Sequence, residues 1–240
     1  MKLHAIETGN FKLDGGAMFG VVPKALWNKT NPADDKNRID LAARSLRIEN
    51  GDRLVLIDAG MGNKQDDAFF RHYGLWGNHT LDKSLQDAGF SRADITDVFF
   101  THLHFDHCGG AVGWNKNRTG YELAFPNATH WSNKAHWEWA TKPNSREKAS
   151  FLSENLLPIQ ESGQLRFISE TNASFIAKSE IGFGVLFVNG HTEKQMIPHL
   201  RYKGKTIVFA ADLSPTAGHL PLPYVMGYDV RPLETLKEKH

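Results

Sequence analysis

Residues 101–110 of the chain read THLHFDHCGG and follow the apolar run DVFF directly. Four side chains that can bind a metal fall within six residues of this stretch: His102, His104, Asp106 and His107. Ligands on one face of a helix would need a spacing of three or four residues, which this stretch does not have. A loop leaving the end of a strand can instead direct alternate side chains toward two centres. We therefore predict a buried strand that ends in a metal-binding loop.

The types of ligand restrict which metals can bind. Imidazole and carboxylate groups together suit zinc, iron, manganese or cobalt, and the lack of several thiolates argues against a structural zinc finger. Gly109 and Gly110 would let the backbone turn tightly beside the ions. A chance set of surface histidines is the alternative, but such a set would rarely follow an apolar strand directly. Cys108, the only cysteine, would point away from the ligands, and we interpret it as a packed side chain.

Three more polar side chains stand where an apolar run ends. His191 follows VLFVNG, Asp212 follows TIVFAA, and Asp58 follows LVLI. Taken alone, His191 could be a core or capping histidine and Asp212 the N-cap of a helix. With the cluster, both are predicted metal ligands. Asp58 could accept an imidazole N–H and so orient a ligand, or it could only cap the following turn.

Composition excludes several classes of function. The chain has 240 residues, 40% hydrophobic and 23% charged, as is usual for a globular protein. Lys and Arg number 28 against 27 Asp and Glu, so there is no basic excess to attract nucleic acid or an anionic membrane. One cysteine excludes an intrachain disulfide, and the apolar runs are too short to form a signal peptide or to span a bilayer. We expect a cytoplasmic protein, although a periplasmic protein without disulfides would have the same composition.

Strand and helix patterns alternate along the chain in two similar halves, which favours an α/β fold of sheets covered by helices. Two hairpins are predicted, one turning at residues 50–51 and the other near Gly204. Residues 133–161 have the spacing of helices, with expected breaks at Pro143 and Pro158. A further helix is predicted in the closing segment LETLKEK.

These motifs together resemble the metallo-β-lactamase superfamily. THLHFDH matches its H-x-H-x-D-H motif, and an LIDAG strand before it, then GHT and the aspartate of AADL after it, follow in the family's order. The resemblance implies an αββα sandwich of two mixed β-sheets flanked by helices, formed by residues 1–240 as a single domain. Within the superfamily, GGAMFGVVP and DLSPTAGHLPLPYVMGYD are similar to the branch of quorum-quenching N-acyl homoserine lactonases.

The resemblance also implies a set of ligands for two divalent ions, with zinc expected. The first ion would be held by His102, His104 and His191, the second by Asp106 and His107, and Asp212 would bridge them.

Members of the family usually add one more histidine to the second ion, some forty residues after the bridging aspartate. Because the chain reaches only His240, we expect a domain that is truncated at its C-terminus. Substitution by His219 or His240, or an incomplete second site, is the alternative.

The activity that the resemblance implies is the hydrolysis of lactones, with a hydroxide shared by the two metals as the nucleophile. Asp106 is the predicted catalytic residue, because a liganding carboxylate with a spare oxygen can pass the proton to the leaving group. The expected partner is a small lactone, and a homodimer is compatible with the sequence. The alternatives are a phosphoesterase or another ester hydrolase, for which Lys194 and Arg201 are the nearby cations, and a metal-binding protein without activity.

Four residues are predicted to line a substrate pocket: Met18, Phe19, His219 and Tyr224. An apolar wall suits an acyl chain, although apolar side chains in these segments can equally belong to the core. The best-known homoserine lactonases have a tyrosine three residues after the bridging aspartate, where this chain has Pro215. Tyr224 and Tyr228 are therefore the candidates for a phenolic group.

Overall fold

The computed structural model describes residues 1–170 and 173–240. The chain forms two compact units. The first contains residues 1–10, 42–70 and 76–170, and the second contains 11–41, 71–75 and the described part of 171–240. None of the helices in the described residues has the length and apolar character needed to cross a bilayer. The predicted α/β class, with sheets and helices, is confirmed.

The described residues contain twelve β-strands and eight α-helices, numbered in chain order. The strands are β1 (Lys2–Asp14), β2 (Arg38–Asn50), β3 (Arg53–Ile57), β4 (Asp97–Phe99), β5 (Val112–Trp114), β6 (Tyr121–Leu123), β7 (Thr129–Ser132), β8 (Leu165–Phe167), β9 (Phe175–Ile176), β10 (Gly184–Val188), β11 (Gln195–Tyr202) and β12 (Lys205–Val208). The helices are α1 (Gly15–Phe19), α2 (Lys24–Trp27), α3 (Asp67–Phe70), α4 (Leu81–Asp87), α5 (Phe105–Cys108), α6 (Lys134–Thr141), α7 (Ser153–Glu161) and α8 (Pro232–Glu238). Short 3₁₀ helices lie at Arg92–Asp94, Gly109–Ala111, Ala211–Leu213 and Ala217–His219.

A six-stranded mixed sheet, in the order β1-β2-β3-β4-β7-β8, forms the centre of the first unit. Strands β2 and β3 pair antiparallel, while β3, β4, β7 and β8 are parallel to one another. The predicted hairpin between β2 and β3 is confirmed. Its loop is Gly51-Asp52, one residue later than predicted, because Asn50 pairs with Arg53.

The predicted strand before the histidine cluster is β4, and all three of its residues are buried. It lies between β3 and β7 and runs parallel to both. The carboxyl ends of parallel strands meet at the same edge of a sheet, so the residues after β3 and after β4 are neighbours. This arrangement brings Asp58 next to the loop that starts at Thr101.

Helices α6 and α7 account for the predicted helical segment. Helix α6 ends at Thr141, before Pro143, as predicted. The break predicted at Pro158 is wrong, because Pro158 lies inside α7. A proline inside a helix costs one backbone hydrogen bond. Here the helix continues for only three more residues, and the buried side chains of Leu156 and Ile159 hold it against the core of this unit.

The second unit is built on the sheet β12-β11-β10-β9, whose described pairings are all antiparallel. The hairpin predicted near Gly204 is confirmed: Tyr202 pairs with Lys205, so Lys203 and Gly204 form the loop. Both loop residues have positive φ, 49° and 75°, as a tight two-residue hairpin requires. Helix α8 confirms the predicted closing helix and starts at Pro232, where the missing N–H has no cost.

The glycines after the histidine cluster pack against backbone. A Cβ atom on Gly109 would lie 2.2 Å from the carbonyl oxygen of Met61, and one on Gly110 would lie 2.1 Å from that of Ala59. In addition, the Gly110 N–H donates to the carbonyl oxygen of Gly60 at 2.8 Å. These contacts require glycine, and they seat the cluster loop against the loop that follows β3.

We predict that Gly110→Ala destabilises the protein by about 1–3 kcal/mol, since a backbone oxygen cannot move aside as a flexible side chain would. Urea unfolding monitored by fluorescence measures the change. Gly113→Ala is the matched control, because a Cβ atom there would meet nothing within 4 Å. Equal unfolding midpoints for the two variants would contradict the close packing described here.

Candidate metal centre

Asp58 is the residue on which the cluster in the first unit is organised. Its carboxylate accepts three hydrogen bonds of 2.8 Å each, from the Thr101 N–H, from Thr101 Oγ1 and from His107 Nδ1. Burial raises the pKa of the Asp58 carboxyl, and the bonds from His107 and Thr101 counteract part of that rise. Because an ionised carboxylate only accepts, this contact favours the His107 tautomer with the proton on Nδ1 and a lone pair on Nε2. This contact is the one that the predicted orienting role of Asp58 requires.

The other predicted ligands of the first unit surround His107. The His102 ring lies 4.0 Å from the His107 ring and 4.6 Å from the His104 ring, centroid to centroid. One carboxylate oxygen of Asp106 lies 3.8 Å from His107 Nε2. His102 and His104 lie in the loop after β4, whereas Asp106 and His107 lie on the single turn of α5. The structure thus brings four predicted ligands of this unit together, two on a loop and two on a helical turn.

Two residues of the later helical segment contact the cluster and were missed by the sequence analysis. His136 Nε2 accepts the N–H of Leu103 at 2.9 Å, which fixes the backbone between His102 and His104. Glu147 Oε1 lies 3.5 Å from His104 Nε2. Neither residue follows an apolar strand, so the signal that identified Asp58 does not exist for them.

His191 is the centre of a corresponding arrangement in the second unit. Its Nδ1 lies 3.1 Å from an oxygen of Asp229, and its Nε2 lies 3.3 Å from an oxygen of Asp212. His191 and Asp229 are both buried, while Asp212 is partly exposed on a 3₁₀ turn. The structure therefore brings His191 and Asp212 together within this unit. It adds Asp229, which the sequence analysis did not identify.

The loop that carries His191 is held by the segment around α8. The Glu238 carboxylate accepts the N–H groups of Asn189 and Gly190 at 2.6 and 2.9 Å. Arg231 donates to the carbonyl oxygen of Asn189 at 2.8 Å. A Cβ atom on Gly190 would lie 2.2 Å from Thr235 Oγ1, so glycine is required there. The GHT sequence thus has a local explanation: its glycine fits under α8, and its histidine follows in a fixed position.

Hydrogen bonds at both ring nitrogens hold His219 in place. Its Nε2 lies 2.8 Å from the carbonyl oxygen of Met18, and its Nδ1 lies 2.8 Å from Thr216 Oγ1. Since a carbonyl only accepts, Nε2 donates and Nδ1 accepts from the threonine hydroxyl. Burial lowers the pKa of this histidine and so favours its neutral form. Both nitrogens are engaged, so binding a metal would require His219 to break one of these bonds.

The remaining predicted pocket residues lie in or beside an apolar cluster of the second unit. Met18 and Phe19 are buried with Trp27 and Met226, and Tyr224 packs against this cluster with part of its surface exposed. Phe19 stacks with Trp27 at 5.3 Å and with His219 at 4.2 Å, between ring centroids. Met18 and Phe19 therefore have core contacts, and a role in substrate binding stays a prediction for all four residues.

Cys108 and Lys64 are buried beside the cluster loop. The Cys108 thiol donates to the carbonyl oxygen of Leu103 at 3.2 Å, and burial raises its pKa to about 12. It remains protonated and packs as a small apolar side chain, as interpreted from the sequence. Lys64 donates from Nζ to the carbonyl oxygen of Gly109, and burial lowers its pKa to about 8.

The donor groups fit a divalent transition metal. In the first unit, His102, His104 and His107 are side chains able to hold a metal ion, and in the second unit His191 and Asp212 are. Imidazole nitrogens combined with carboxylate oxygens suit zinc, iron, manganese or cobalt. The hydrogen bond from His107 to Asp58 has the form that accompanies metal-binding histidines in proteins.

Comparison with known proteins identifies a matching family and similar folds. A profile described as the Metallo-beta-lactamase superfamily matches residues 39–238. The solved structure of a probable metal-dependent hydrolase from Staphylococcus aureus is 30% identical, with a TM-score of 0.86, covering 99% of this chain and 82% of the other. AidC, a dizinc quorum-quenching lactonase in complex with a product, is 23% identical with a TM-score of 0.73, covering 99% and 80%.

An N-acyl homoserine lactone hydrolase with the product N-hexanoyl-L-homoserine bound at the catalytic metal centre is 17% identical, with a TM-score of 0.68, covering 99% of this chain and 85% of the other. At the identities of AidC and of this hydrolase, the likeness shows a shared fold. A search of curated proteins found no match to the chain.

We predict that the buried charge of Lys64 gives the metal-free protein a distinct pH dependence. Below a pH of about 8, Lys64 is protonated in both folded and unfolded states, and the full cost of burying the charge is present. Between about pH 8 and the ordinary lysine pKa of 10.5, the unfolded state binds more protons, so stability rises with pH. The free energy of unfolding should therefore gain about 2–3 kcal/mol relative to Lys64→Met over this range.

The measurement is urea unfolding of wild type and Lys64→Met at several pH values from 7 to 10.5. The exposed Lys142 supplies the control, because Lys142→Met removes a charge without removing a buried one. If both lysine variants differ from wild type in free energy of unfolding by the same amount at every pH, burial does not shift the pKa of Lys64.

Proposed function

Because the chain belongs to the metallo-β-lactamase superfamily, we propose that it is a dinuclear metal-dependent hydrolase that opens lactones of the N-acyl homoserine type. The observation that carries the metal-dependent part is the cluster around Asp58. There, one buried carboxylate fixes His107 and the loop that carries His102. The lactone part is supported by the fold shared with two lactone-hydrolysing enzymes.

The proposed ligands follow the superfamily motif residue by residue. The first ion is assigned to His102, His104 and His191, the second to Asp106 and His107, and both to Asp212. Support comes from the contacts within each unit: the first unit groups its four residues, and the second groups His191 with Asp212. Zinc is the proposed metal, since it is the ion named for AidC.

Two divalent cations, when bound, supply Lewis-acid activation of a carbonyl oxygen and of water. The side chains of the chain supply the rest of the chemistry. Asp106 receives the proton of the attacking water on a carboxylate oxygen and returns it to the alkoxide that leaves when the ring C–O bond breaks. One water is consumed, and the product is a single ring-opened hydroxy acid. Asp58 keeps the His107 ring in place throughout, through the proton on Nδ1.

The phosphoesterase alternative has less support. Phosphate substrates call for cationic side chains, and the sequence offered Lys194 and Arg201. Arg201 donates to Thr206 across the β11–β12 hairpin at 3.0 Å, and Lys194 Nζ lies over the Phe187 ring at 5.8 Å. Both cations are thus engaged within the second sheet, which leaves a neutral ester as the better-supported class of substrate.

We predict that zinc-loaded protein releases protons from a long-chain N-acyl homoserine lactone in a pH-stat and that a chelator abolishes the release. One carboxylic acid forms per ring opened, so the rate of base addition reports the reaction directly. Release of protons from a phosphotriester or a thioester, with none from the lactone, would contradict the lactonase proposal and point to the alternative substrates.

Asp106→Asn should lower kcat by about 10²–10⁴-fold, because an amide cannot relay the proton. Metal content is measured on the same samples, so that loss of an ion is separated from loss of the relay. Asp52→Asn is the matched control, since Asp52 is exposed in the β2–β3 loop, at the end of β3 opposite Asp58. Activity of Asp106→Asn within a few-fold of this control would exclude Asp106 as the proton carrier.

A further inference from the structure

Glu147 is a buried carboxylate in the segment between α6 and α7, with 4% of its surface exposed. One of its oxygens, Oε2, accepts the indole N–H of Trp139 at 2.8 Å and the side-chain amide of Asn144 at 2.5 Å. Asn144 in turn accepts the backbone N–H groups of Arg146 and Glu147. A helix side chain and a tight turn thus fix the orientation of this carboxylate.

The other oxygen of Glu147 faces the histidine cluster. Glu147 Oε1 lies 3.5 Å from His104 Nε2. The same segment supports His104 in two more ways: the carbonyl oxygen of Ser150 accepts the N–H of Phe105 at 2.9 Å, and the Phe151 ring lies 4.7 Å from the His104 ring. The segment 144–151 therefore holds the backbone at Phe105, packs against the ring of His104 and places a carboxylate oxygen near its Nε2 atom.

A carboxylate beside one ring nitrogen determines the tautomer of a histidine. An ionised carboxylate only accepts hydrogen bonds, so it favours the proton on the nitrogen that faces it. For His104 this nitrogen is Nε2, which makes Nδ1 the nitrogen that presents a lone pair. In His107 the carboxylate of Asp58 contacts the other ring nitrogen, Nδ1.

We propose that Glu147 is the positioning residue of His104: it fixes the Nε2–H tautomer and thereby sets the affinity of the first metal site. The proposal rests on the proposed function in so far as His104 is a metal ligand, and it does not depend on which ester is hydrolysed. Carboxylates that hold a liganding histidine typically change metal affinity by about 10–100-fold when they are removed.

Glu147→Gln is the decisive variant, because it keeps the shape of the side chain and changes its chemistry. Its amide oxygen can still accept from Trp139 and Asn144, which then turns the NH₂ group toward His104. An amide N–H beside Nε2 favours the proton on Nδ1, the tautomer that cannot use Nδ1 to bind a metal. The variant should fold as the wild type does and bind zinc about 10–100-fold more weakly.

Two measurements test this without relying on activity. Competition with a chromophoric chelator gives the zinc Kd of each variant, and long-range ¹H–¹⁵N spectra of the metal-free protein give the tautomer of His104, assigned with His104→Asn. Glu138→Gln is the control: it removes a carboxylate from the same helical region, but its side chain is 65% exposed. We expect the Nε2–H tautomer in wild type and in this control, with zinc affinities that differ by less than about twofold.

The outcomes separate the two proposals. Weaker zinc binding and a changed tautomer in Glu147→Gln support the positioning role, even if the wild type opens no lactone and the substrate proposal fails. Wild-type zinc affinity in a folded Glu147→Gln overturns the positioning role, even if lactones are hydrolysed. A wild type that binds no zinc overturns both the metal centre and the role of Glu147.

A second variant covers the case in which Glu147→Gln does not fold. Trp139→Phe keeps the charge of Glu147 and removes the indole N–H that orients it. Its zinc Kd should rise by about twofold or more, although less than in Glu147→Gln. Unchanged zinc affinity in a folded Trp139→Phe would then overturn the proposal.

Discussion

The cluster of the first unit depends on one buried carboxylate and on the backbone that presents it. Asp58 has a φ of 58°, a left-handed conformation that costs free energy for a residue other than glycine. The surrounding bonds compensate: its N–H donates to Phe99 and its carbonyl accepts from Ser45 Oγ. Its carboxylate joins the N–H and hydroxyl of Thr101 to His107 Nδ1. A single side chain therefore links the end of β3, the end of β4 and the first turn of α5.

In the second unit, too, carboxylates hold a histidine and the loop that carries it. His191 is held by the Asp229 carboxylate, and its loop is held by the Glu238 carboxylate, which accepts two consecutive backbone N–H groups. Burial raises the pKa of Glu238, while those two hydrogen bonds favour its ionised form. In both units a carboxylate from a distant segment holds the loop that carries a histidine, so tertiary contacts set the geometry of that loop.

The part of the site that could be predicted from the sequence is the part with a local signal. Asp58, His102, His191 and Asp212 each follow an apolar strand, and that pattern is visible within about ten residues. Glu147 and Asp229 act on histidines far away in the chain, and neither follows an apolar strand. The hydrogen bond between His219 and the carbonyl oxygen of Met18 could not be predicted either, because the two residues are 201 positions apart in the chain. Pro158 was predicted to end a helix by a local rule that tertiary packing overrides.

Metal chemistry of this kind is shared across a superfamily, so the choice of substrate must depend on residues outside the ligand set. In the second unit, the aromatic group of Phe19, Trp27 and His219 forms a fixed base, because His219 ties it to the backbone at Met18. Val21 and Leu220, which adjoin this base in sequence, are 94% and 72% exposed. Exposed apolar side chains beside a rigid base can bind an acyl chain with little loss of conformational entropy. The core contacts of Phe19 and His219 are therefore compatible with the predicted pocket, and a role in substrate binding stays a prediction.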